Sequence, residues 1–183
     1  GPKSFELGIE EPKQTAFREK RVVYPKSKTT RFIIGVRTPG ASHGDTPGLL
    51  VLAELLGSAT DGLPAWLERK AHWVKYLSVD HTFMVDHGTF TIEGEVETEK
   101  AETVLSWLRE YLSTLSDRQF DKAAVERATR SLLTGRARSW ETFGDLAVGL
   151  GFWVERMGVQ AARNSTNAIM AQTPESLRAL TAR

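Results

Sequence analysis

The chain's soft metal-ligand candidates are its four histidines, and two of them, His81 and His87, stand six residues apart with Asp80 and Asp86 immediately before each. A zinc site wants a third ligand and a fixed tetrahedral geometry. Six apart on one strand would align both rings on one face, but a turn at Asp86-His87-Gly88 undoes the alignment, so both read as ordinary hairpin-end residues. His43 lies in a corner before a helix and reads as a capping or packing residue, and His72, beside Trp73, as a surface or interface side chain. Glu93, Glu95 and Glu97 form an alternating carboxylate row, yet Phe90, Ile92, Gly94 and Val96 occupy the other parity, so the row reads as the solvated face of an amphipathic strand. No H-x-x-E-H, G-x-S-x-G, P-loop or G-x-G-x-x-G pattern occurs, and no cysteine. The residues therefore offer no zinc helix, no activated serine, no thiolate and no phosphate cradle.

The elements that would position these side chains follow from periodicity. Lys20 to Tyr24 and Thr30 to Arg37 read as two strands joined across Pro25-Lys26-Ser27-Lys28. In the second, Phe32, Ile34 and Val36 alternate with Ile33, Gly35 and Arg37, as one buried face requires. Pro39 and Gly40 stop it. Asp45 suits an N-cap, Pro47 the first turn, and Gly57 the end of the next helix. Leu63 to Lys70 gives a second helix; Trp73 to Val85 and Thr89 to Val96 give another hairpin. Thr98 opens a helix with Val104, Leu105, Leu108, Leu112 and Leu115 in register, and Ser116-x-x-Gln119 has the form of a capping box for a helix reaching Gly135. Ser139 to Val154, and a segment opened by Thr173-Pro174-Glu175, complete the helices. The order predicts an α+β fold, an antiparallel-rich mixed sheet covered by helices on one face.

Residues 1–17 read as a linker or an expression remnant at Gly1-Pro2, and 18–183 as a single domain. A net charge of +1 over 183 residues gives no electrostatic footprint for nucleic acid or a membrane surface. The longest apolar run, Leu49 to Leu56, is interrupted by Glu54 and falls far short of the roughly 20 residues of a membrane span. Cytoplasmic and periplasmic locations stay equally open.

The stretch from Arg31 to Gly57, R-F-I-I-G-V-R-T-P-G-A-S-H-G-D-T-P-G-L-L-V-L-A-E-L-L-G, resembles a recurrent unit of the pitrilysin/insulinase-like zinc metallopeptidases. The likeness extends from about Glu11 through the strand Gly88-x-Phe90-x-Ile92 to Thr173-Pro174-Glu175-Ser176-Leu177, and with H-x-x-E-H absent it is to the family's non-catalytic domain. In that family two homologous halves close like a clamshell, with zinc in one domain and the others shaping the chamber and holding substrate. The resemblance implies no cofactor in this chain, zinc in the catalytic domain or a partner, a homologous zinc-bearing domain or subunit as partner, and a peptide substrate.

It also singles out Arg69 and Tyr76, seven residues apart at a helix-to-strand junction, where relatives carry an Arg and a Tyr that reach substrate near the zinc. Arg69 would orient the substrate carbonyl and Tyr76 would donate to the developing oxyanion. Their neighbours depart from the pattern, Glu68 standing where a Leu is usual and Lys75 where a Gly is. Two other functions stay open: a scaffold like the core subunits of respiratory complexes, and an unrelated α+β ligand-binding module. An apolar surface for the partner is expected to include some of Trp66, Trp73 and Trp153.

Overall fold

The computed structural model describes residues 15–182. The linker assigned to 1–17 therefore lies, for residues 1–14, outside the described residues. Three strands, β1 (Thr29–Pro39), β2 (Val74–Phe83) and β3 (His87–Glu97), form a sheet in the order β1-β3-β2, with both pairings antiparallel. Six α-helices accompany them among the described residues: α1 (Thr46–Gly57), α2 (Leu63–Lys70), α3 (Ala101–Ser113), α4 (Lys122–Arg138), α5 (Phe143–Met170) and α6 (Pro174–Thr181). No helix is long and apolar enough to cross a membrane among the described residues.

Period-two alternation decides the faces of the central strand. Phe90, Ile92, Gly94 and Val96 are buried while Glu93 and Glu95 lie half-exposed on the other side. Gly94 is required by close approach, since a Cβ there would come within 2.8 Å of both the Phe32 ring and the Tyr76 carbonyl. Onto the apolar face packs α1, whose Leu49, Val51, Leu52, Ala53, Leu55 and Leu56 are all buried. A helix apolar on every side belongs at the centre of a core. Around it Val104 and Leu108 of α3, Val125 of α4, Ile169 of α5 and Leu177 of α6 close the cluster, each side chain contributing about 1.5–3 kcal/mol by burial. Among the described residues helices thus cover one face, and the other face is open.

Several boundaries differ from the sequence reading. Lys20 to Tyr24 forms no strand: these residues are exposed, and Glu19 and Arg21 reach instead to Arg109 and Glu102 of α3. A turn does follow, with the Ser27 N–H donating to the Tyr24 carbonyl at 2.9 Å, but β1 stands without the expected hairpin partner. Ser116-x-x-Gln119 is not a capping box. Leu115–Asp117 is a 3-10 turn, and α4 is capped by Asp121, whose carboxylate accepts from the Ala124 N–H at 2.9 Å. The helix expected over 139–154 begins at Phe143 with Thr142 as its cap and continues to Met170, broken at Gly158, where φ is +79°. Thr173 caps α6 reciprocally with Ser176, with Pro174 in the first turn, as the sequence indicates.

Candidate functional site

Tyr76 owes its direction to one irregularity. Val74 pairs with Val96 on the buried face, and a regular strand would send Tyr76, two residues on, to that same face. The β2 register shifts between Val74 and Tyr76, so Tyr76 pairs with Glu95 and points to the open side. There it is 51% exposed, and its hydroxyl donates to Glu93 Oε1 at 3.0 Å. The Ser78 hydroxyl donates to the same oxygen at 3.4 Å. Beside them Arg31 Nε sits 3.0 Å from Glu95 Oε2, and this hydrogen bond, reinforced by the Thr29 hydroxyl, holds the half-exposed Glu95 carboxyl below the usual carboxylate range.

No hydrogen bond or ion pair joins Arg69 and Tyr76. Arg69 lies exposed in the last turn of α2, and the groups whose charge states it influences are Asp61 and Tyr111. Asp61 is held low chiefly by its hydrogen bond to Arg127, at 2.7 Å. Tyr76, beyond the Ala71–Trp73 connection, donates to Glu93, which also accepts from Ser78. The role of Glu93 as acceptor for the tyrosine escaped the sequence reading, which had it only as part of a solvated row. The row does lie on the open face.

The histidines are dispersed. His81 is not merely a hairpin-end residue: its side chain faces the core between Phe83 and Phe90, with ring centroids 6.0 and 6.3 Å away. Its Nε2 meets the Thr38 hydroxyl at 2.9 Å, its Nδ1 is buried without a partner, and burial pushes its pKa down to about 4. His87 opens β3 opposite Pro39, the tight turn falling at Met84–Asp86 with the Met84 N–H donating to the His87 carbonyl at 2.7 Å. His43 Nδ1 accepts from the Asp45 N–H at 3.2 Å in the turn before α1, and His72 is exposed. Among the described residues no three His, Asp or Glu side chains converge as metal ligands. The described residues therefore offer no ligand set that fits a zinc ion.

Trp66, Trp73 and Trp153 are half-buried in internal contacts rather than displayed. Trp66 meets Tyr111 edge-on, Trp73 stacks on Trp107, and Trp153 packs on Phe83.

The sequence profile of the peptidase M16 inactive domain matches residues 6–132. The chain belongs to that family. Its non-catalytic character and α+β fold accord with the resemblance to zinc metallopeptidases and leave the unrelated ligand-binding module without support. No curated protein sequence matches the chain. Among solved structures, this M16 inactive domain is similar to a protease from Helicobacter pylori, with TM-score 0.77 and 16% identity over 87% of this chain and 39% of that one. The inactive peptidase domain from Bordetella parapertussis superposes with TM-score 0.73 and 15% identity, over 87% of this chain and 88% of that one. A chain of Complex III2 from Candida albicans gives TM-score 0.73 and 15% identity, over 86% and 40%. At such identities these are likenesses of fold. The M16 inactive domain spans about two fifths of the protease and Complex III2 chains, and nearly all of the Bordetella domain.

Proposed function

We propose that this domain is the substrate-holding, chamber-forming, non-catalytic part of a zinc-dependent metalloendopeptidase whose zinc is supplied by a homologous domain or subunit. In this reading residues 18–183 work as one unit, with 1–17 as its connection, and the bound partner is a peptide. What supports it is the aim of Tyr76: a register shift turns its phenol onto the uncovered sheet face, where Glu93 holds the hydroxyl at 3.0 Å in the absence of substrate. An open sheet face with a positioned donor can line a chamber; the buried face cannot. The metal, bound elsewhere, would supply the activated water. Tyr76 would exchange its bond to Glu93 for one to the oxyanion as charge develops, and Arg69 would orient the scissile carbonyl. Contacts made only in the transition state appear in kcat. In the assembled enzyme Tyr76→Phe is expected to lower kcat at least about tenfold, equivalent to roughly 1.4 kcal/mol of transition-state stabilisation, with folding unchanged. An unchanged kcat removes Tyr76 from the site.

A second reading, a scaffold without proteolysis, is favoured by one observation, the fold likeness to a chain of Complex III2. It predicts that neither Tyr76 nor Arg69 substitutions alter hydrolysis by any assembly containing this domain.

A further inference from the structure

Glu54 is the only charged residue of α1, half-buried between the buried Ala53 and Leu55, and among the described residues no hydrogen bond or ion pair engages its carboxylate. A carboxylate drawn out of water favours a partner of opposite charge. Glu54 lines a cleft of about 370 Å³ between the end of α1, β2 and α4, a size within the usual range for small-ligand sites. The other charged groups lining the cleft are committed to each other: Arg127 Nε and Nη2 lie 3.2 and 2.7 Å from Asp61 Oδ2, and Arg69 also acts on Asp61. Ser58 Oγ accepts from the N–H groups of Thr60 and Asp61, each at 3.3 Å, and the Ser78 hydroxyl turns to Glu93.

We infer that this cleft binds a primary ammonium group with Glu54 as its counter-ion. The groups left uncommitted are acceptors. Besides the Glu54 carboxylate there is the Ser131 hydroxyl, which has no hydrogen bond among the described residues. A third acceptor comes from β2: no strand pairs with its outer side among the described residues, and of the three successive lining residues 77–79 at least one turns its carbonyl away from β3. An alkylammonium brings three N–H donors and one positive charge, which a carboxylate, a hydroxyl and a carbonyl satisfy. An anion would meet Glu54 with no uncommitted cation to offset it, and a neutral apolar group would leave the carboxylate desolvated and unpaired. Ala53, Ala124 and Ala128 in the lining give the methylene stem an apolar wall. Such an ammonium can come from a lysine side chain of a peptide or from a free alkylamine, and for a peptide the outer edge of β2 also offers main-chain partners. Binding of this kind is independent of the catalytic role proposed for Tyr76.

The test is a titration of the isotope-labelled 183-residue chain with n-butylamine, with Nα-acetyl-lysine N-methylamide and with its norleucine counterpart, following the amide NMR signals of Gly57, Asp61 and Ser131 at neutral pH. Both amines are expected to shift these signals saturably, and the norleucine compound, which lacks the ammonium, to bind at least about tenfold more weakly than the lysine compound. Glu54→Gln keeps the shape of the side chain and removes its charge, and is expected to weaken both amines at least about tenfold while the circular dichroism stays unchanged. Ser131→Lys, at an exposed position of α4, puts a tethered ammonium into the same cleft and is expected to displace both amines without touching α1. Tighter binding of the lysine compound than of butylamine assigns the site to a peptide side chain, and tighter binding of butylamine assigns it to a free amine. Absence of saturable shifts with either amine, equal binding of the lysine and norleucine compounds, or binding indifferent to Glu54→Gln and Ser131→Lys overturns the inference.

Discussion

Acidification tests the placement of His81. Its ring lies against Phe83 and Phe90 with Nε2 on the Thr38 hydroxyl, and burial lowers its pKa from 6.5 to about 4. The unfolded chain takes up this proton near pH 6.5, and the folded chain takes it up only near 4. Between those values the unfolded state binds more protons, so the contribution of a neutral His81 is fully present above about pH 6.5 and is lost as pH falls. With each unit of offset worth about 1.4 kcal/mol, acidification from pH 7 to pH 4.5 should remove about 2.5 kcal/mol through this residue. That is a sizeable share of a typical stability of about 5–15 kcal/mol. Urea unfolding followed by tryptophan fluorescence measures it, with His81→Gln as the comparison because it keeps a neutral polar group facing Thr38. Asp61, Glu95 and Glu175, all held below their ordinary values, are common to both chains and cancel in the difference. The stability gap between wild type and variant should shift by about 2.5 kcal/mol in favour of the variant on acidification. Parallel losses in the two proteins would refute the buried, neutral histidine.

Gly40→Ala places a Cβ 2.2 Å from the Val85 carbonyl oxygen, where backbone must move, and should lower stability by about 1–3 kcal/mol in urea at an unchanged m-value. Thr173→Ala removes the reciprocal cap of α6 and should cost about 1 kcal/mol in the same assay, a loss that Thr173→Ser should largely avoid. Metal analysis of the dialysed chain should find far less than one equivalent of zinc. A stoichiometric ion lost on substituting His81 or His87 would contradict their separation into a core-facing ring and a strand end.

The central strand was legible because period-two alternation from Phe90 to Val96 decides its faces locally, and α1 because an apolar run bounded by Pro47 and Gly57 admits few alternatives. What depended on choices made in three dimensions was not legible. Lys20 to Tyr24 has strand composition, but Arg21 ends 2.5 Å from Glu102, and no local pattern encodes that competition. Ser116 and Asp121 are both good caps, and it is Asp121 that accepts from a helix N–H while Leu115, one residue before Ser116, is buried in the core. For the candidate site, the family resemblance pointed to Tyr76, whereas its orientation rests on a register shift that alternation alone would have placed on the wrong face. Glu93 looked like one of three equivalent carboxylates until the fold brought the tyrosine hydroxyl to it.

The most direct measurement is hydrolysis of an unstructured fluorogenic peptide by this chain, by the zinc-bearing half, and by the two together. A substrate-holding domain contributes orientation and enclosure, while the metal-bound nucleophile comes from the other half, so neither part should suffice. The account predicts no cleavage by this chain alone and restored cleavage on mixing, reduced at least about tenfold when the mixture carries Tyr76→Phe. Cleavage by this chain alone that resists zinc chelation, or full activity of the zinc-bearing half without it, would contradict the account.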